Sequence, residues 1–96
     1  MRMLLTAKMD SEKTNQLITD GTLGKTMEGI LEELKPEAAY FTAWEGERTA
    51  LLVIDLDDSS QMPSVAEPFF QAGAKVSLRP AMNRDDLTKG LASLGR

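Results

Sequence analysis

Residues 38–58 read AAYFTAWEGERTALLVIDLDD, and the rest of the chain is organised around them. Tyr40, Phe41, Trp44, Val53 and Ile54 are aromatic or β-branched, the types that fit a pleated, half-buried surface. Glu45-Gly46 supplies the two residues of a tight turn, with Gly46 free to take a positive φ. Counting outward from that turn sets Thr42 opposite Thr49, Phe41 opposite Ala50, Tyr40 opposite Leu51 and Ala39 opposite Leu52. Side chains of a strand alternate between its faces. One face therefore collects Ala39, Phe41, Ala43, Ala50, Leu52, Ile54 and Leu56, all apolar, and is expected under the helices. The other collects Tyr40, Thr42, Trp44, Thr49, Leu51, Val53 and Asp55. That second face is too apolar to lie against water. A second copy of the same sheet is its simplest cover.

The flanking chain extends the pattern. Residues 2–9 alternate, with Met3, Leu5, Ala7 and Met9 on the helix side and Arg2, Leu4, Thr6 and Lys8 on the other. Asp10 can cap a helix. Leu17 and Ile18 begin a helical stripe that Asp20-Gly21 interrupts: either the helix breaks there, with Gly21 ending it and Thr22 capping a new helix, or it kinks. In that helix Leu23, Met27, Ile30, Leu31 and Leu34 recur at helical spacing, and Pro36 ends it. After the hairpin, Ser59 or Ser60 is expected to cap a third helix, with Pro63 in its first turn. Pro68 should kink or shorten that helix, and Gly73 should end it. Residues 74–79 form a last strand, with Lys75, Ser77 and Arg79 on the second face. Asn83 and Asp86 have capping-box spacing ahead of a stripe of Leu87, Leu91 and Leu94. The order strand, helix, strand, strand, helix, strand specifies an α+β, ferredoxin-like domain over residues 1–96. It has a four-stranded antiparallel sheet, helices on one side and an extra C-terminal helix.

Composition narrows the chemistry. The 96 residues contain no cysteine and no histidine, which removes thiolate sites, an imidazole base, a histidine-held haem and the usual zinc sites. A net charge of −4 argues against nucleic acid, and the aromatic residues of the second face sit on an outer strand rather than the central ones that stack bases. No stretch is apolar enough for a signal peptide or a membrane span, so a cytoplasmic protein is expected.

The second face of the sheet is the main candidate site. It carries Arg2, Lys8, Lys75 and Arg79 against Asp55, in a chain that is acidic as a whole. An apolar floor with a few converging polar groups suits a small ligand, here an anionic or aromatic one. Tyr40 could donate a proton and Asp55 accept one. Lys8, Trp44, Arg79, Thr6, Thr42, Leu51, Val53 and Ser77 would bind the ligand. Phe69 or Phe70, beside Pro68, could line a pocket between helix and sheet, although phenylalanines at helical spacing are more often core. The same residues also suit a plain dimer interface, with lysines guarding edge strands and Asp55 paired to Lys8 or Arg79. Asp55, Asp57 and Asp58, with Asp10 near them, are read as partners of a helix N-terminus, and no metal or cofactor is expected. The run from Gly21 to Thr26 lacks the spacing of a phosphate loop and is read as a helix break at the mouth of a cavity, with Lys25 and Thr26 at its rim.

Four stretches carry a resemblance: Asp20-Gly21-Thr22-Leu23, Lys35-Pro36-Glu37-Ala38-Ala39-Tyr40-Phe41, Ala66-Glu67-Pro68-Phe69 and Pro80-Ala81-Met82-Asn83. Through them the chain resembles the dimeric α/β-barrel superfamily, and within it a group of small bacterial proteins of unknown function. The resemblance implies a homodimer packed sheet to sheet, with a cavity between sheet and helices or within the barrel. Superfamily members include muconolactone isomerases, cofactor-independent monooxygenases of polycyclic aromatics and haem-dependent peroxidase-like enzymes. The expected function is thus small-molecule binding, with cofactor-independent isomerisation, cyclisation or oxygenation as the reaction classes. The competing expectation is a non-catalytic oligomerisation or regulatory module.

Overall fold

The computed structural model describes residues 1–95. The strands are β1 (Arg2–Lys8), β2 (Ala38–Trp44), β3 (Glu47–Asp55) and β4 (Lys75–Pro80). Helices α1 (Ser11–Thr19) and α2 (Leu23–Leu34) join β1 to β2. A short 3-10 turn (Ser59–Gln61) leads into α3 (Met62–Gln71), and α4 (Arg84–Ala92) follows β4. The sheet is antiparallel with order β2-β3-β1-β4, the ferredoxin-like arrangement expected from the element order.

The hairpin pairs as its turn dictates: Thr42 opposite Thr49, Tyr40 opposite Leu51, Ala39 opposite Leu52. Glu45 and Gly46 both take positive φ, 53° and 80°, the signature of a turn that matches the strands' right-handed twist. The core follows from parity. Met3, Leu5, Ala7, Ala50, Leu52 and Ile54 all point to one side and are buried against Ile30 of α2 and Val65 and Phe69 of α3.

Local signals explain the helix boundaries, with two substitutions of cap. The Asp10 side chain accepts from the Lys13 N–H, as expected of a cap. Gly21 takes a left-handed φ of 73° and separates α1 from α2. Thr22 occupies the cap position of α2 without capping; its hydroxyl donates to the Leu17 carbonyl instead. The cap before α3 is Asp58 rather than Ser59 or Ser60. It forms a reciprocal capping box with Gln61, whose amide oxygen accepts from the Asp57 and Asp58 N–H groups. Helix α3 is short and continues through Pro68. Asn83 and Asp86 close the expected box at α4, with side chain-to-backbone bonds of 2.8 and 3.0 Å.

Two regions lie outside the core. The far half of β2 is uncovered on the side assigned to the helices: Phe41 is 54 % exposed and Ala43 is exposed, because the helices cover this side only as far as Ala39. Helix α4 buries none of its side chains, and Leu87, Leu91 and Leu94 face solvent. The radius of gyration of 15.5 Å exceeds the ~13 Å of a compact chain this size, and the long axis reaches 55 Å. Helix α4 is moored at its root, where Arg2 reaches Asp86 at 3.3 Å.

Candidate functional site

The side of the sheet away from the helices is open. Across it, register sets Thr49, Lys8 and Lys75 in one row, Tyr40, Leu51, Thr6 and Ser77 in the next, and Ala38, Val53, Leu4 and Arg79 in a third. A concavity of about 350 Å³ lies over these rows. Leu4 and Leu51 line it as apolar floor, and Thr6 and Ser77 bring hydroxyls. Trp44 forms a wall, and Lys8 and Arg79 bring positive charge from two different strands.

Glu45 completes the lining, a residue that sequence reasoning treated only as a turn former. Its carboxylate lies 3.4 Å from the Lys8 ammonium. Both groups are reached by solvent, and such a pair contributes only about 0–1 kcal/mol. Meanwhile a side chain held at positive φ costs on the order of 1 kcal/mol. The signal available beforehand was the residue type: position 45 favours Asn, Asp or Gly, and Glu stands there. Arg79 makes no ion pair among the described residues.

Six of the expected ligand residues thus share one concavity: Lys8, Trp44, Arg79, Thr6, Leu51 and Ser77. The others are placed elsewhere. Val53 is on the same face but lies beyond the concavity, opposite Leu4. Thr42 borders a different cleft. Tyr40 is on the open face and 65 % exposed, outside the lining. Asp55 does not pair with Lys8 or Arg79. It accepts from the Met1 amine at 2.8 Å, at the far end of β3. Tyr40 and Asp55 are two rungs apart, about 13 Å along the strands, so the acid–base pair expected of them does not assemble in this chain. Phe69 is 0 % exposed and fills the core, so it lines no pocket. Asp10 also lies apart from Asp55, at the opposite end of β1.

Two further cavities frame this one. The larger, about 500 Å³, sits at the root of α4 among Arg2, Asp55, Met82 and Asp86. Size alone would favour it, but its charges answer one another: Arg2 contacts Glu37 and Asp86, and Asp55 holds the amine. The other, about 410 Å³, is an apolar cleft between Leu23 and Met27 of α2 and the uncovered Phe41 of β2. This is where the break at Gly21 opens the helix layer. Lys25 and Thr26 are not in its lining, and the Thr26 hydroxyl donates to the Thr22 carbonyl.

Several solved chains match this architecture, among them one that holds a small ligand. It is 5-chloro-2-hydroxyhydroquinone dehydrochlorinase (TftG) from Burkholderia phenoliruptrix AC1100, in complex with 2,5-dihydroxybenzoquinone. The TM-score is 0.68 over 88 % of this chain and 97 % of that one, at 17 % identity. The likeness shows a shared α+β, ferredoxin-like fold of the kind expected from the element order. No family model and no curated protein matches the sequence. Among the described residues no helix is long and apolar enough to cross a membrane, and no cluster of three or more acidic side chains is arranged to hold a metal.

Proposed function

We propose that this chain is a small-molecule-binding protein that works as a homodimer, with its open sheet face shared between two copies. The observation that carries the reading is the concavity at the centre of that face. It combines an indole wall, an aliphatic floor and two cations from different strands, in a chain of net charge −4. Such a site suits an aromatic or anionic metabolite: the ring lies on Trp44, and Arg79 answers the negative charge.

The second copy supplies what one chain lacks. Leu4, Leu51 and Val53 remain only half-buried, and Trp44 is 46 % exposed. A second sheet would turn the open concavity into an enclosed chamber and remove water from it, which strengthens charge–ligand contacts. The exposed leucines of α4 would find cover on the same partner. Within this proposal the chain belongs with small cytoplasmic bacterial proteins of the dimeric α/β-barrel kind. The chemistry it would host is cofactor-independent isomerisation, cyclisation or oxygenation. The complex of TftG with 2,5-dihydroxybenzoquinone supports a planar six-membered-ring ligand for the fold.

Native mass spectrometry of the purified protein, alone and with benzoate as the probe acid, tests both parts. A dimer that takes up benzoate supports the reading. A dimer that never takes up an acid would leave the face as a plain interface, the oligomerisation-module alternative. A monomer would remove the second copy and the chamber together.

A further inference from the structure

Glu45 is the residue that the simple picture of a cationic pocket leaves unexplained. It stands at a turn position with φ 53°, where a residue without a long side chain would sit more easily. Its carboxylate is directed to Lys8, 3.4 Å away, in the lining of the open-face concavity. The pair is solvent-exposed and therefore adds little to the fold. Lys35 is the other non-glycine residue at positive φ, and it has a plain structural reason: it ends α2, with its N–H bonded to the Leu31 carbonyl. The hairpin turn sets the φ of Glu45 in the same way, but it calls for no carboxylate at that position.

We infer that Glu45 is a specificity-determining residue that makes the cavity select a hydroxylated aromatic acid over a plain one. The inference rests on the ligand-binding reading of this cavity. Its logic is a division of charge. Lys8 is already answered by Glu45, so Arg79 is the cation left for a ligand's acid group. The carboxylate of Glu45 is an acceptor only. What it offers an incoming molecule is a bond to an O–H, with Lys8 beside it to donate to the same oxygen. Arg79 pairs with Leu4, and Lys8 lies four residues further along β1, so the two cations start about 13 Å apart along the strand. Both side chains line the same concavity, so an elongated molecule, such as a ring with substituents at opposite ends, is the shape that meets both. Trp44 stands beside Glu45 in the chain and offers its face to the ring.

The test compares 4-hydroxybenzoate with benzoate, which differ by the one hydroxyl. Trp44 is the only tryptophan, so its fluorescence reports this site alone, and calorimetry checks the affinities. The wild-type chain should bind 4-hydroxybenzoate about ten-fold more tightly than benzoate, the size expected of one hydrogen bond to a charged acceptor at an open site. Glu45→Gly suits the turn and removes the carboxylate. It should bring the two affinities to within about two-fold of each other. A preference that survives in Glu45→Gly, or equal binding of both acids by the wild type, overturns the inference and leaves the acid-binding cavity standing. If the wild type binds neither acid, the cavity reading fails and this inference fails with it.

Discussion

The two sides of the same sheet share strands and register yet have opposite characters. On the helix side, Met3, Leu5, Ala7, Ala50, Leu52 and Ile54 are at most 5 % exposed and meet side chains from α2 and α3. One residue away in each strand, Leu4, Thr6, Leu51 and Val53 are only half-covered, and the row ends in cations and an indole. Alternation alone creates this difference, since adjacent residues cannot share a side. The first side stabilises the chain. The second carries apolar surface that the chain does not use for its own folding, together with Arg79, which has no ion pair among the described residues, and a carboxylate placed at a local conformational cost. That is the pattern of a surface kept for something else.

The contrast can be broken most severely from the helix side. Phe69→Ala should lower unfolding free energy by about 4 kcal/mol in denaturant titrations, because a fully enclosed ring leaves a cavity that its neighbours cannot refill. A small loss would mean that α3 is not held against the sheet as described. On the open side the expected result is a change in association. Leu51→Asp should convert the proposed dimer to a folded monomer in native mass spectra, since a buried unpaired carboxylate is not tolerated between two sheets. A variant that stays dimeric would move the interface to another surface.

Smaller effects sharpen the picture. Arg79→Gln should weaken benzoate binding about ten-fold, the value of one charge-assisted contact, whereas Asp55→Asn should leave it unchanged because Asp55 is engaged with the Met1 amine away from the cavity. Equal losses from both would merge two cavities that the structure separates. Gly46→Ala should cost about 1 kcal/mol in thermal or chemical unfolding, because φ 80° is strained for a residue with a side chain. Tyr40→Phe should change stability by less than about 0.5 kcal/mol, since its exposed hydroxyl makes no hydrogen bond within the described chain. Any loss of ligand affinity in that variant would show that the partner sheet brings Tyr40 into the chamber.

Much of the fold was legible because its determinants are local. The Glu45-Gly46 turn sets the pairing of β2 with β3, and once that pairing is known, parity assigns each side chain to a side. Breaks at Gly21, Pro36 and Gly73 delimit the helices, and the box of Asn83 and Asp86 starts the last one. Which residues share the open side was therefore readable. The concavity of Lys8, Thr6, Trp44, Leu51, Ser77 and Arg79 draws entirely on residues assigned there.

What sequence could not decide was position along and above that side. Asp55 and Tyr40 have suitable chemistry but stand two rungs apart, and a list of residues by side carries no distance along the strand. Phe69 beside Pro68 was a reasonable pocket residue until helix packing enclosed it. Asp58 replaced the serines as a cap because Gln61 could reach back to the same backbone, a reciprocity visible only in three dimensions. Glu45 was legible as a turn residue and illegible as a site residue, because the chain had to fold before its carboxylate met Lys8 from a different strand. Strand pairing and side are properties of neighbours and of parity, which the sequence carries directly. Burial, ion pairing and cavity shape depend on groups distant along the chain, and only their assembly in the tertiary structure brings them within reach.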